Sequence, residues 1–555
     1  MANRIEFKLF APNNKGAALL GDFSDWKEIP MQKDKDGYFC TQVELEDGTY
    51  LYKFRIQSNS PLLQPDRWVY VTDPYATEVR DEQNSVVQIK DGKKIVDTYT
   101  WQHDDKPLPV NEELVIYELH VADFSGCEDD SEVPGKFKDV TDKLDYLSEL
   151  GINAIELMPV NEYPGDYSWG YKVRHFFATE SSYGSTEDLK QLIDECHARG
   201  IRVIVDGIYN HTDEECPLLL IDRDYWYYHD KHYPEDDPHN YWGPEFNYEN
   251  YDEKLGIKPA WEYVGDIVRF WIQEYHIDGI RFDAVRQLAN YDFLYWITNE
   301  ARKASGGIKP FYNIAEYIPD TAKIVIPQGP MDSCWHESFR FFVMQDICGD
   351  AFDLEKLKEA LDAKRQGYAT ATSVINYLAT HDREHTIAEL DSRKISSPAS
   401  FGRAKLGAVL LLTAMGVPML WMGEEFGENT RKATNQINKL EWPLLKQDLN
   451  RDLLEYYKAL IALRQQNPAL HTENIDFFHE NLDSKVLAYV RWNEQGSRVV
   501  VVANFSDKYL AGYQVPHFPA SGNWHSLLDN HQVEAVDGTL TIDLPEYEAK
   551  VLVWQ

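Results

Sequence analysis

Ile201-Arg202-Val203-Ile204-Val205-Asp206 is an apolar run that ends on a carboxylate, and the same ending recurs three times. The others are Gly279-Ile280-Arg281-Phe282-Asp283, Asn313-Ile314-Ala315-Glu316 and Tyr377-Leu378-Ala379-Thr380-His381-Asp382. Short apolar runs separated by longer helical stretches read as buried parallel strands. Working outward, Leu114 to His120, Ala154 to Pro159 and Pro418 to Gly423 read as further strands, and Leu144 to Leu150 and Ser185 to Arg199 as helices. A less regular unit at Phe339 to Met344 brings the strands to eight, which predicts a (β/α)8 TIM barrel. The competing architecture, a doubly wound open sheet, lacks a Gly-x-Gly-x-x-Gly after any strand.

On either side the pattern changes to short alternating runs. Residues 1–95 predict an N-terminal β-sandwich, 96–113 a polar linker, 114–470 the barrel and 471–555 a small C-terminal β-sandwich. Within the barrel, residues 212–258 form an excursion after the third strand, rich in Tyr, Trp, Asp and Pro. Its aromatics, Tyr225-Trp226-Tyr227-Tyr228, Tyr241 and Trp242, fit a local core and a sugar-stacking surface equally well. Trp26 and Trp68 of the N-terminal module pose the same choice, and there burial is the expectation.

A chain of 555 residues with a net charge of −37 is too large for a single binding module and repels phosphate backbones and anionic membranes, though not a neutral substrate. Neither nucleic acid nor membrane is an expected partner. Cys40, Cys127, Cys196, Cys216, Cys334 and Cys348 are scattered without a C-x-x-C pair, and no signal peptide precedes Ile5, so the expected setting is cytoplasmic. Leu406 to Met422 imitates a membrane span, but Gly416 and Pro418 divide it into a buried helix and a strand.

In a parallel barrel the strand ends meet on one face, so Asp206, Asp283, Glu316 and Asp382 are expected to converge there. One Asp after a strand is often only a helix cap; four in register weaken that explanation. Converging carboxyls suit a hard metal or glycoside cleavage, and Arg281, His211 and His381 favour the sugar. Arg281 is placed to hold Asp283 ionised, and burial among negative neighbours is expected to keep Glu316 neutral.

These segments carry a resemblance. Asp206-Gly207-Ile208-Tyr209-Asn210-His211, Gly279 to Asp283, Ala315-Glu316 and His381-Asp382 are similar, in order, to the four motifs of glycoside hydrolase family 13, the α-amylase family. Gly151 to Pro159, Trp169-Gly170-Tyr171 and Gly416 to Glu425 support it, and Leu20 to Trp26 resembles the glucan-binding module ahead of branching and debranching enzymes. The resemblance implies Asp283 as nucleophile, Glu316 as general acid/base and Asp382 as the acid gripping the distorted sugar. Tyr171, Asp206, His211, Arg281 and His381 would line the same subsite.

It also implies a retaining hydrolase of α-1,4-linked glucan (starch, glycogen or maltooligosaccharides) with no organic cofactor. Where α-amylases carry Lys-His after the nucleophile motif, Arg286-Gln287 stands, which argues against a bound calcium; no metal ligand set is expected. Branching by glycosyl transfer is the first alternative, although Tyr317 occupies the place of a second Glu usual in branching enzymes. A maltooligosyltrehalose trehalohydrolase and a non-catalytic glucan-binding protein follow.

Overall fold

The computed structural model describes residues 3–554 apart from 82, 127–132, 231, 233–240, 308 and 328, so Cys127 lies outside the described residues. Eight parallel strands close into a barrel: β1 (Ile116–Leu119), β2 (Ala154–Leu157), β3 (Arg202–Gly207), β4 (Gly279–Phe282), β5 (Tyr312–Ala315), β6 (Ser333–Trp335), β7 (Val374–Asn376) and β8 (Val417–Trp421). The closure runs from β8 back to β1, with Ile116 opposite Met419. Alternate residues point inward, and Ile116, Ala154, Ile204, Ile314, Ile375 and Val417 fill the lumen as a packed core. The strands are buried on both faces, which is why they read as apolar runs without alternation.

The sixth unit differs from the sequence expectation. Phe339 to Met344 belongs to the helix Glu337–Cys348, and the strand is the three residues Ser333–Trp335 before it. The predicted membrane-like stretch is the helix Ala399–Thr413 followed by β8. No helix among the described residues is long and apolar enough to cross a membrane.

Ahead of the barrel, a three-stranded and a seven-stranded antiparallel sheet form the expected sandwich. Trp26 and Trp68 are not in its core: they are 41% and 40% exposed, and Arg55 lies over the Trp68 ring at 5.3 Å. The stretch after Lys93–Ile95 is pinned to the barrel, because Asp194 accepts from the Tyr99 hydroxyl and the amides of Gln102 and His103, and Trp101 stacks on His276 at 4.1 Å. The excursion after β3 carries the helix Pro217–Trp226, which seats the N-terminal module: Ser58 donates to Leu220 O, and Asn13 and Asn59 donate to Asp222. Tyr225, Trp226 and Tyr227 are buried there, Trp226 with its ring 5.9 Å from Phe10, so these three are core.

At the other end eight strands between Ile475 and Trp554 form one antiparallel path. Its central strands are apolar on both faces. Val486, Ala488, Val500 and Val502 face Val515, Trp524 and Leu540 of the later strands, which completes a sandwich. Leu487, Tyr489, Val499 and Val501 join the large core shared with the barrel.

Candidate active site

Arg281 lies inside the barrel in β4, completely buried, and a buried guanidinium needs acceptors. Its Nη1 meets both carboxylate oxygens of Asp206, the residue in register with it on β3, at 2.7 Å, and Asp283 Oδ1 at 3.0 Å. Its Nη2 lies 3.2 Å from Glu316 Oε2, at the end of β5. The Trp335 ring of β6 supports the guanidinium from below at 4.3 Å. Three acids from three successive strands are thereby gathered on one cation, and the Ala284 amide donates to Glu316 Oε2 at 2.8 Å, tying the loop after β4 to the end of β5.

Across the mouth, the loop after β7 supplies His381 and Asp382. His381 Nδ1 pairs with Glu118 of β1 at 2.6 Å, and its Nε2 lies 3.4 Å from Asp382. Tyr171 stacks on His381 at 4.9 Å and donates to Asp206 Oδ2 at 2.6 Å, bridging the two halves. His211 is held by the Tyr171 carbonyl at 2.9 Å. Tyr171, His211, Asp283, Glu316, His381 and Asp382 line one pocket of about 280 Å3 with Lys172, Trp242 and Ala284, while Asp206 and Arg281 sit beneath its floor. All eight predicted residues are therefore brought together. A larger cavity of about 460 Å3 between the N-terminal module and the barrel holds none of them.

Burial and charge set the protonation pattern. Burial lowers the His211 imidazole to about 4, so it is neutral at neutral pH. Burial also opposes charge on His381, but Asp382 and Glu118 outweigh it and push the imidazolium up to about 10. Asp382 is correspondingly held below the usual carboxylate range, its partial burial at the pocket mouth being outweighed by the His381 cation. Asp283 departs from expectation: burial, with Glu316 and Asp206 adding to it, drives its carboxyl well up despite Arg281. The arginine expected to single out Asp283 also touches Glu316, so contact with it does not distinguish the two acids.

Two buried acids escaped the sequence reading. Glu118 orients His381, and Glu156 of β2 is 2% exposed with its carboxyl pushed well up by burial and by Glu118. The signal was present, since both are acids inside apolar runs, in register with each other and with Ile204, two residues before Asp206. Trp335 was missed because β6 itself was misplaced.

Residues 115–445 match the family model described as Alpha amylase, catalytic domain, covering more than half of the chain. Residues 1–76 match Carbohydrate-binding module 48 (Isoamylase N-terminal domain), and 478–555 match Alpha amylase, C-terminal all-beta domain. Among relatives, the chain is 28% identical to a pullulanase of Bacillus subtilis (strain 168) over 560 residues, 88% of this chain and 73% of that one. It is also 28% identical to the 1,4-alpha-glucan branching enzyme GlgB of Synechococcus sp. (strain CC9902) over 574 residues, 92% of this chain and 72% of that one. Among solved structures, pullulanase type I from Bacillus subtilis str. 168 complexed with maltose has the same fold, with a TM-score of 0.82 at 22% identity, covering 100% of this chain and 84% of that one. A chain whose barrel, flanking modules and ordered strand-end acids all agree in this way belongs to the α-amylase family, glycoside hydrolase family 13, and is an enzyme of it.

Proposed function

We propose that the protein is a retaining glycoside hydrolase that cleaves α-1,4-linked glucan through a covalent glycosyl ester on Asp283. The observation that carries this reading is the single guanidinium of Arg281 gathering Asp206, Asp283 and Glu316 beneath a pocket whose opposite wall is His381 and Asp382. In the reactive form the proton is on Glu316 and Asp283 is ionised against Arg281; Glu316 donates that proton to the departing glycosidic oxygen while an Asp283 carboxylate oxygen attacks the anomeric carbon. Water then attacks that carbon, Glu316 takes the water's proton, the bond to Asp283 breaks, and two inversions restore the α configuration. Asp382, ionised beside the His381 cation, accepts hydrogen bonds from ring hydroxyls of the sugar. The neutral His211 and the phenol of Tyr171 complete that subsite.

An α-glucan substrate is supported by the relatives, which are named for pullulan and for 1,4-alpha-glucan. Hydrolysis is supported by solvent access, the Asp382 side chain being 50% exposed at the pocket mouth. The five described cysteines are free thiols, in keeping with a cytoplasmic enzyme. A second reading, branching by transfer of the glycosyl unit to a sugar hydroxyl, is favoured by the similarity to a branching enzyme along 92% of the chain.

Incubation with amylose and, separately, pullulan distinguishes the outcomes by iodine colour, reducing ends and isoamylase-sensitive branch points. Hydrolysis of α-1,4 bonds gives new reducing ends as the colour of amylose falls. Loss of colour with new branch points and no net reducing ends would replace the first reading with branching, and reducing ends from pullulan alone would move the scissile bond to the linkage pullulan adds.

A further inference from the structure

Asp283 and Glu316 are fixed by one guanidinium, but Asp382 stands apart from them, with a half-exposed side chain that lies 3.4 Å from His381 Nε2. Its place is set largely by the backbone that carries it, a tight turn after β7. The Arg383 amide donates to Thr380 O at 3.1 Å, the Thr380 amide to Arg383 O at 3.4 Å, and the Asp382 amide to Thr380 Oγ1 at 3.2 Å. Such a turn fixes Asp382 relative to its own neighbours, not relative to a sugar in the pocket. A constraint from outside comes from the segment after β8, where Lys432 Nζ donates to Arg383 O.

Lys432 reaches the turn from a fixed base. Buried Glu428 accepts from the Thr430 amide at 2.8 Å, the Thr430 hydroxyl at 2.7 Å and the Glu441 amide at 2.7 Å, which closes residues 428–441 into a loop. The Lys432 ammonium then lies over Trp421, the last residue of β8, 4.7 Å from the ring centroid. Just beyond the turn the same two loops are joined twice more, His385 Nε2 pairing with Met422 O at 2.9 Å and the Thr386 amide donating to Glu424 Oε2 at 3.1 Å. Lys432 differs from these in holding the turn itself. Burial brings its ammonium down to about 7, although Glu118, Glu384, Asp382 and Glu424 act the other way. Water could satisfy a turn carbonyl without that desolvation cost; what the lysine adds is a fixed separation between two loops. We infer that Lys432 is a positioning residue, which locks the turn from Thr380 to Arg383 against the segment after β8 and so holds the Asp382 carboxylate where the distorted sugar presents its hydroxyls. The inference rests on the reading of Asp382 as the acid that grips that sugar, and Lys432 itself touches no reacting atom.

The test is a double-mutant cycle on maltoheptaose, with Lys432→Met and Lys432→Arg made in wild type and in Asp382→Asn and the slow variants followed in single turnovers. Lys432→Met keeps the length of the side chain and loses the donor. In wild type it should lower kcat about tenfold and change KM by less than about twofold, because the grip of Asp382 strengthens as the sugar distorts. Lys432→Arg restores a donor and should recover kcat to within about threefold of wild type. In the Asp382→Asn background Lys432→Met should cost less than about twofold, since the carboxylate it positions is already gone. A loss from general damage to folding would appear in both backgrounds. The same tenfold loss in both, no loss in wild type, or no recovery with arginine would overturn the positioning role while leaving the hydrolase reading intact. An active wild type indifferent to Asp382→Asn, or a folded wild type that does not cleave maltoheptaose, would overturn the reading beneath it, and the role of Lys432 with it.

Discussion

At the scale of single residues, the site is an arrangement of charges that cannot be separated. Asp283→Asn and Glu316→Gln each remove one function, and each should lower kcat by about three or more orders of magnitude while the melting temperature stays near that of wild type, because both side chains face the pocket. Activity and melting temperature falling together would instead make these acids structural. His381 gives a pH signature. An imidazolium whose proton is held above its ordinary value of 6.5, here to about 10, adds stability that is full below about 6.5 and lost as pH rises through about 10. The stability advantage of wild type over His381→Asn should therefore narrow as pH climbs from about 7 to about 10, measured by urea unfolding at several pH values. An advantage independent of pH in that window would mean His381 is neutral.

At the scale of elements, what was legible depended on length and repetition. β3, β4 and β5 were readable because an apolar run ending in an acid is a signal that several strands share. β6 was not, since three residues carry no period and the following helix is unusually rich in aromatic and branched residues, Phe339, Phe341, Phe342 and Val343 among them. The aromatics of the long third excursion divide by neighbour. Trp226 is 3% exposed against Tyr225 and Tyr263, whereas Trp242 lines the pocket with its ring 5.8 Å from His211. Trp226→Ala should cost about 3–5 kcal/mol of stability, read from denaturant unfolding. Trp242→Ala should leave stability nearly unchanged and lower kcat/KM on glucan about tenfold. The reverse assignment of effects would exchange core and subsite.

For the whole molecule, the division into sandwich, barrel and all-β terminus was visible in the change of periodicity, while the contacts that join the parts were not. Two completely buried arginines show why: Arg464 donates to Gly416 O at 2.6 Å within the barrel unit, and Arg491 of the C-terminal unit donates across the boundary to Thr413 O at 2.5 Å and to Thr472 O at 2.6 Å. Burial lowers Arg464 to about 9 and Arg491 to about 10, and backbone carbonyls hold them, which no pattern of opposite charges in the sequence announces. Arg491→Met should remove the polar clasp between barrel and C-terminal unit and lower the melting temperature by several degrees with kcat on glucan retained, since the clasp lies far from the strand-end acids along the chain. The central claim, displacement on Asp283 with Glu316 as acid, is tested most directly by following the first anomer released from a maltooligosaccharide by proton NMR, before mutarotation. The account predicts the α-anomer first, decaying toward equilibrium; release of the β-anomer first would show a single inverting displacement by water and remove Asp283 as nucleophile.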